Sequence, residues 1–79
     1  MKYVVTAWKD GNEKKYVEAK TKSEADKIAL KMMGGHYGFT TDAVDTCEVD
    51  EEGRLHSKTI YTLCGRTWIK THYYIGEDE

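Results

Sequence analysis

The sequence predicts a small α+β domain, in which one helix packs on one face of an antiparallel sheet in the order β-β-α-β-β-β. Two observations predict this class. Residues 21–33 have the spacing of an amphipathic helix, and the segments on both sides are rich in β-branched and aromatic residues separated by turn residues. A chain of 79 residues is expected to form one domain, 1–79, with a core near the lower size limit for independent folding.

The first two strands are predicted to form a hairpin. Residues 2–9 are rich in β-branched and aromatic side chains, and Asp10, Gly11 and Asn12 tolerate the positive φ angles of a tight turn. We therefore expect the chain to fold back into a second strand over residues 15–19.

The helix is predicted over residues 21–33, where Thr21 and Glu24 have the spacing of a capping box. Its apolar stripe has the i, i+3, i+4, i+7 spacing and consists of Ala25, Ile28, Ala29 and Met32. Gly34 and Gly35 are expected to end the helix, because glycine adopts the left-handed conformation without steric cost.

Three further strands are predicted at residues 43–49, 55–63 and 67–75, with turns at 50–53 and 64–66. In the last strand Ile69, Thr71, Tyr73 and Ile75 alternate with Trp68, Lys70, His72 and Tyr74, so both faces carry large rings. The pattern leaves open whether the third strand lies beside the first. Residues 76–79 are expected to form a frayed acidic tail.

The sequence contains no motif of an enzyme, a metal site or a cofactor site, so we expect a non-enzymatic protein without a cofactor. The paired Cys and His spacings of zinc sites are absent, as is the carboxylate pattern of a calcium loop. A Cys64–His72 pair across the last hairpin is the candidate for a nucleophile and its base.

The location is predicted to be cytoplasmic, with no membrane association. The first apolar run is short and is interrupted by Lys9 and Asp10, so it resembles neither a signal peptide nor a membrane span. Cys47 and Cys64 are accordingly expected to be reduced thiols.

One helix covers one face of a sheet, so the opposite face is expected to lack cover and to present aromatic side chains. The residues predicted there are Tyr61, Trp68, His72 and Tyr74. Burying such a patch against a partner is favourable, which predicts binding to another protein or a homodimer formed through the open sheet face.

An acidic segment follows the helix, with no Lys or Arg between its first and last members. It consists of Asp42, Asp45, Glu48, Asp50, Glu51 and Glu52. Closely spaced carboxylates could imitate the phosphates of a nucleic acid and occupy a basic groove on another protein. These six residues are therefore the second part of the predicted protein-binding site.

The segment YVEAKTKSEADKIA, residues 16–29, resembles a pattern of small phage and mobile-element accessory proteins. In that pattern a hairpin ends in V-E-A, a capping Ser or Thr follows, and the helix opens with S-E-A. The similarity covers about the first fifty residues, and the hairpin of residues 55–75 lies outside it. The resemblance implies an inhibitor that binds and blocks a host protein of defence or of nucleic-acid handling.

The alternative prediction is a nucleic-acid-binding domain that uses the last strand. Cations and rings that could stack on bases interleave there, namely Arg66, Trp68, Lys70 and Tyr73. The formal net charge of −2 and the acidic segment oppose this alternative, because both repel phosphates.

Overall fold

The computed structural model describes residues 1–74 as five strands and one helix, which confirms the predicted α+β class. The elements are β1 (Lys2–Lys9), β2 (Asn12–Ala19), α1 (Lys22–Met33), β3 (Ala43–Val49), β4 (Leu55–Cys64) and β5 (Thr67–Tyr74). The end of the predicted last strand, Ile75, and the predicted acidic tail, 76–79, lie outside the described residues.

The strands of residues 1–74 form one antiparallel sheet in the order β2-β1-β3-β4-β5. The third strand does lie beside the first, which the sequence left open. Because β2 and β3 are each antiparallel to β1, they run parallel to one another, and α1 crosses β1 to connect them. The edges of the sheet are β2 and β5.

The first turn is tighter than predicted. Asp10 (φ 53°) and Gly11 (φ 78°) are both left-handed, and Lys9 lies directly opposite Asn12. This two-residue turn matches the twist of the strands that it joins, so β2 begins at Asn12 and not at residue 15.

Helix α1 begins and ends with the predicted caps. The Thr21 side chain accepts a hydrogen bond from the Glu24 N–H at 3.1 Å, while the Glu24 carboxylate reaches back to the Lys20 N–H, also at 3.1 Å. At the other end the His36 N–H donates to the Lys31 carbonyl at 2.9 Å. Gly35, with φ 75°, makes this closing turn possible.

The apolar stripe of α1 packs on the sheet as predicted. Ala25, Ala29 and Met32 are at most 1% exposed, and Ile28 is half-buried. The sheet side of this core is formed by Val5, Ala7, Ala19 and Val44.

The core lies at one end of the sheet. Within residues 1–74, α1 packs against β1, β2 and β3, and its backbone does not come close to β4 or β5. The last two strands therefore extend beyond the helix, and the molecule is elongated, with extents of 38 × 22 × 22 Å. In the part of the chain that the structure describes, no helix has both the length and the apolar character needed to cross a membrane.

Candidate functional site

The register across the sheet shows which side chains share the face that α1 covers. Val5 lies directly opposite Thr46, Thr46 opposite Thr59, and Thr59 opposite His72. Residues opposite one another in an antiparallel sheet point to the same side, and Val5 belongs to the core under α1. His72 therefore lies on the helix side of the sheet.

By the same register, the helix side of β4 and β5 forms a surface that we call the platform. It consists of Ser57, Thr59, Tyr61, Leu63, Trp68, Lys70, His72 and Tyr74. The opposite side of the sheet, which we call the open face, includes Thr6, Asp45, Ile60, Thr71 and Tyr73.

Tyr61, Trp68, His72 and Tyr74 share one face, as the alternation predicts. The expectation that this is the face opposite the helix is wrong, because all four lie on the helix side. They are uncovered for another reason, which is that α1 stops short of β4 and β5. Alternation separates two faces of a strand, but it does not show how far across the sheet a helix reaches.

Exposure increases along the platform away from the helix. Tyr61 packs against the edge of the core, and Trp68 is half-buried. Tyr74 is 83% exposed, and its ring meets the His72 ring edge-on at 4.6 Å between centroids. The Lys70 ammonium lies 6.0 Å from the centre of the Tyr61 ring, so a cation sits among the rings.

A cleft of about 70 Å³, lined mostly by residues with polar side chains, lies where the platform meets the start of α1, next to Lys22 and Asp26. His72 Nδ1 is 2.6 Å from the hydroxyl of Thr59, a buried residue. This pair ties the exposed strand β5 to β4 by a side-chain hydrogen bond in addition to the backbone ladder.

The Glu48 carboxylate lies in the other wall of the cleft. It accepts hydrogen bonds from the Tyr3 and Ser57 hydroxyls, each at 3.2 Å. Burial, together with the bond to Glu48, raises the pKa of Tyr3. Sequence reasoning missed Tyr3, Ser57 and Thr59, because only the pairing of distant strands brings them beside Glu48 and His72.

Two further depressions flank the sheet. One of about 230 Å³ lies at the end of α1 and is lined by residues that include Met33, Gly35, Leu63 and Trp68, so it continues the platform. A larger one, about 410 Å³, lies beside the β3–β4 turn and is lined by Met1, Lys2, Asp50, Glu51 and Gly53. Its walls are a chain terminus and a turn, and none of the aromatic side chains of the platform faces it.

The structure does not bring the six acidic residues together. Asp45 lies on the open face, where it is buried and accepts a hydrogen bond from the Trp8 indole N–H at 3.0 Å. Glu48 lies on the helix side, in the cleft. Asp42, which immediately precedes β3, accepts a hydrogen bond from the Asp10 N–H at 3.0 Å.

The other three acidic residues belong to the β3–β4 turn. Asp50 accepts hydrogen bonds from the N–H groups of Glu52 and Arg54, and it lies 2.9 Å from the His56 ring. Glu51 is exposed, and Glu52 forms an ion pair with Arg54. The carboxylates of the acidic segment thus point in different directions and form no continuous row within residues 1–74.

The residues of the nucleic-acid alternative are divided as well. Trp68 and Lys70 lie on the platform, whereas Tyr73 lies on the open face and Arg66 in the exposed β4–β5 turn. The platform nevertheless combines rings and a cation, which is the part of this alternative that the geometry retains.

The candidate nucleophile pair is not assembled. Cys64 lies on the open face and His72 on the platform, so the sheet separates them. Burial, followed by the neighbouring Asp45 carboxylate, raises the pKa of the Cys47 thiol, which disfavours the reactive thiolate. Within the described residues, Cys47 and Cys64 are not disulfide-bonded, and no cluster of His, Cys, Asp and Glu could hold a metal ion.

Comparison of the chain with protein families, with curated proteins and with solved structures finds no significant match.

Proposed function

We propose that this chain is a non-enzymatic binding module that recognises another protein through the platform. The observation that carries the proposal is the short reach of α1, which leaves aromatic side chains on β4 and β5 uncovered although they are on the helix side of the sheet. Tyr and Trp side chains contribute much of the energy of protein interfaces, because they bury a large area at a small entropic cost.

The chemistry of the platform describes the expected partner. Trp68 and Tyr74 supply apolar surface, and Lys70 lies between them on the same face. A matching partner has apolar side chains at the centre of its contact and a carboxylate that faces Lys70. The resemblance of the first fifty residues to phage and mobile-element accessory proteins supports a host protein as this partner.

The test compares aromatic residues on the two edge strands of the sheet. Tyr74→Ala and Trp68→Ala remove platform rings, and Tyr16→Ala removes a 52%-exposed ring from the other edge strand, β2. With a partner captured by the wild-type chain and then purified, we expect calorimetry to show at least about tenfold weaker binding for either platform variant. Tyr16→Ala should bind as the wild type does.

Equal affinity of all three variants would contradict the proposal. In that case, charge reversal at Glu51 and Glu52, which are exposed in the β3–β4 turn, tests whether the acidic segment is the contact instead. If these reversals weaken binding and flatten its salt dependence, the acidic segment is the contact and the platform is not.

A second candidate function is binding of single-stranded nucleic acid, favoured by the rings of Tyr61 and Trp68 beside Lys70. Filter binding with single-stranded and duplex DNA and RNA tests it. Salt-sensitive binding that Lys70→Ala weakens would favour this candidate, while the protein-binding proposal expects no retention of any of these nucleic acids.

A further inference from the structure

The edge strand β5 carries fewer of the features that usually protect a sheet edge than the other edge strand, β2. Its eight residues, TWIKTHYY, pair with β4 in an unbroken register, without a bulge, and Lys70 is its single Lys or Arg. The other edge, β2, has the sequence NEKKYVEA with four charged residues, and a register shift lies in its pairing with β1. Charges and bulges discourage pairing with another chain, and a long, flat, apolar edge invites it.

We propose that β5 pairs with β5 of a second copy, antiparallel, about a two-fold axis at Thr71. In such a pair, residue i faces residue j with i + j constant. Residues directly opposite each other point to the same side of the sheet, so the axis must pass through a position where one residue faces its own copy. The central candidates in β5 are Lys70, Thr71 and His72.

Charge and side-chain pairing select among these three registers. An axis at Lys70 would place two like charges directly opposite each other, which is unfavourable. An axis at His72 would place Lys70 opposite Tyr74 and His72 opposite its own copy, so no two apolar side chains would meet on the platform among the described residues. An axis at Thr71 avoids the contact between two Lys70 side chains and, unlike the other two registers, places apolar residues opposite each other on both sides of the sheet among the described residues.

The Thr71 register brings apolar residues together on both sides of the sheet. On the open face, Ile69 and Tyr73, which are 49% and 48% exposed, face one another twice. On the platform, Trp68 faces Tyr74. The two Thr71 side chains meet at the axis on the open face. Cross-strand pairs of aromatic and β-branched residues are among those that stabilise sheets.

The expected dimer is weak. One pair of eight-residue strands is a small contact compared with the roughly 1,200–2,000 Å² of stable interfaces, so we expect a dissociation constant in the micromolar range. The axis is perpendicular to the sheet, so both copies of α1 lie on the same side. The β4 and β5 strands of the two copies then form one continuous four-stranded surface between the two helices.

Charge substitutions at the axis test the pairing. By sedimentation velocity over a concentration series, we expect a reversible dimer for the wild type and monomers for Thr71→Lys and for Thr71→Asp. A mixture of these two variants should form heterodimers, because opposite charges then meet at the axis.

Thr62→Lys is the matched control. Thr62 is the same residue type on the same open face, is also exposed, and lies on β4, one strand in from the edge. It should leave the edge dimer intact, whereas a dimer formed face to face through the open face would be disrupted. A monomeric wild type, a dimer broken by Thr62→Lys, or a mixture that stays monomeric would each overturn the proposal.

A cross-link tests the register. In a background with Cys47 and Cys64 changed to Ser, Thr71→Cys should form an intermolecular disulfide, because directly opposite Cα atoms lie about 4.5–5.5 Å apart. Ile69→Cys should not, because in this register the two copies of residue 69 are separated by roughly 13 Å along the strands. Cross-linking of Ile69→Cys in preference to Thr71→Cys would rule out the Thr71 axis.

Discussion

Asp45 is a buried carboxylate whose partners are uncharged. It is 7% exposed on the open face, receives a hydrogen bond from the Trp8 indole, and lies 3.9 Å from the Cys47 sulfur. Among the described residues it forms no ion pair with Lys, Arg or His. A buried polar group depends strongly on each hydrogen bond that it makes, because losing one exposes the full cost of desolvation.

Replacing Trp8 with Phe should therefore destabilise the fold by about 1–3 kcal/mol, since the Asp45 oxygen loses its donor. Urea denaturation measures the change. The matched background is Asp45→Ala, in which the same Trp8→Phe substitution should cost at least about 1 kcal/mol less. An equal cost in both backgrounds would assign the effect to lost packing of the ring.

The Asp50 carboxylate, in the β3–β4 turn, should make the stability of the fold depend on pH. The bond to His56, followed by the Arg54 N–H, holds the pKa of Asp50 below its ordinary value. A lowered pKa in the folded state contributes stability above the unfolded pKa of about 3.9, and this contribution is lost as pH falls through the lower folded value. The stability that Asp50 contributes should therefore be lost as pH falls below about 4.

In Asp50→Asn this part of the acid dependence should disappear. We expect the urea midpoint of the variant to change less than that of the wild type between pH 5 and pH 3. Glu51→Gln removes an exposed charge from the same turn and serves as the control. Identical pH profiles of Asp50→Asn and the wild type would show that the carboxylate contributes nothing in this window.

At the scale of the elements, helix α1 contains residues that are close in sequence but differ widely in burial. Met32 is 0% exposed and lies in the core, while Leu30, two residues earlier, is 64% exposed on the outer side. Both are large and apolar, so composition does not distinguish them. Their positions relative to the stripe do, because a helix turns by about 100° per residue.

Met32→Ala should lower the free energy of unfolding by about 2–5 kcal/mol, because it leaves a cavity under the helix. Leu30→Ala, which removes a similar volume from the surface of the same helix, should change it by less than about 0.5 kcal/mol. Thermal and urea unfolding of both variants provide the comparison. Similar losses for the two would mean that Leu30 is also buried.

The elements could be predicted from sequence because their signals are local. Asp10 and Gly11 specify a turn, Thr21 and Glu24 specify a helix start, and the apolar stripe specifies its buried side. The site could not be predicted to the same degree. The pairing of β1 with β3 joins segments about forty residues apart, and consecutive apolar residues in β1, such as Val4 and Val5, do not indicate which side faces a helix.

At the scale of the whole molecule, the core is confined to one end. Helix α1 and strands β1, β2 and β3 hold the buried apolar side chains, and β4 and β5 extend from them as a two-stranded ribbon that the helix leaves mostly uncovered. Local opening requires less free energy where few apolar contacts are lost. The ribbon should therefore open without unfolding the rest.

Amide hydrogen exchange measures this difference. At a concentration low enough to keep the chain monomeric, amides of β5 should exchange well before those of β1 and β3, whose opening should approach global unfolding. At high concentration, pairing through the β5 edge should slow the outward amides of β5 in particular. Uniform protection of the whole sheet at low concentration would contradict the confinement of the core to one end.

Because α1 does not reach β4 and β5, the residues that folding requires differ from those that can be substituted without loss of stability. Substitutions at Trp68, Lys70 or Tyr74 remove few buried contacts, so most should be neutral for folding. In a lineage of such proteins, the platform could acquire new partners by mutation while the helix and the first three strands stayed under selection for stability. The division between covered and uncovered strands would then be a boundary between slow and fast evolution within one small domain.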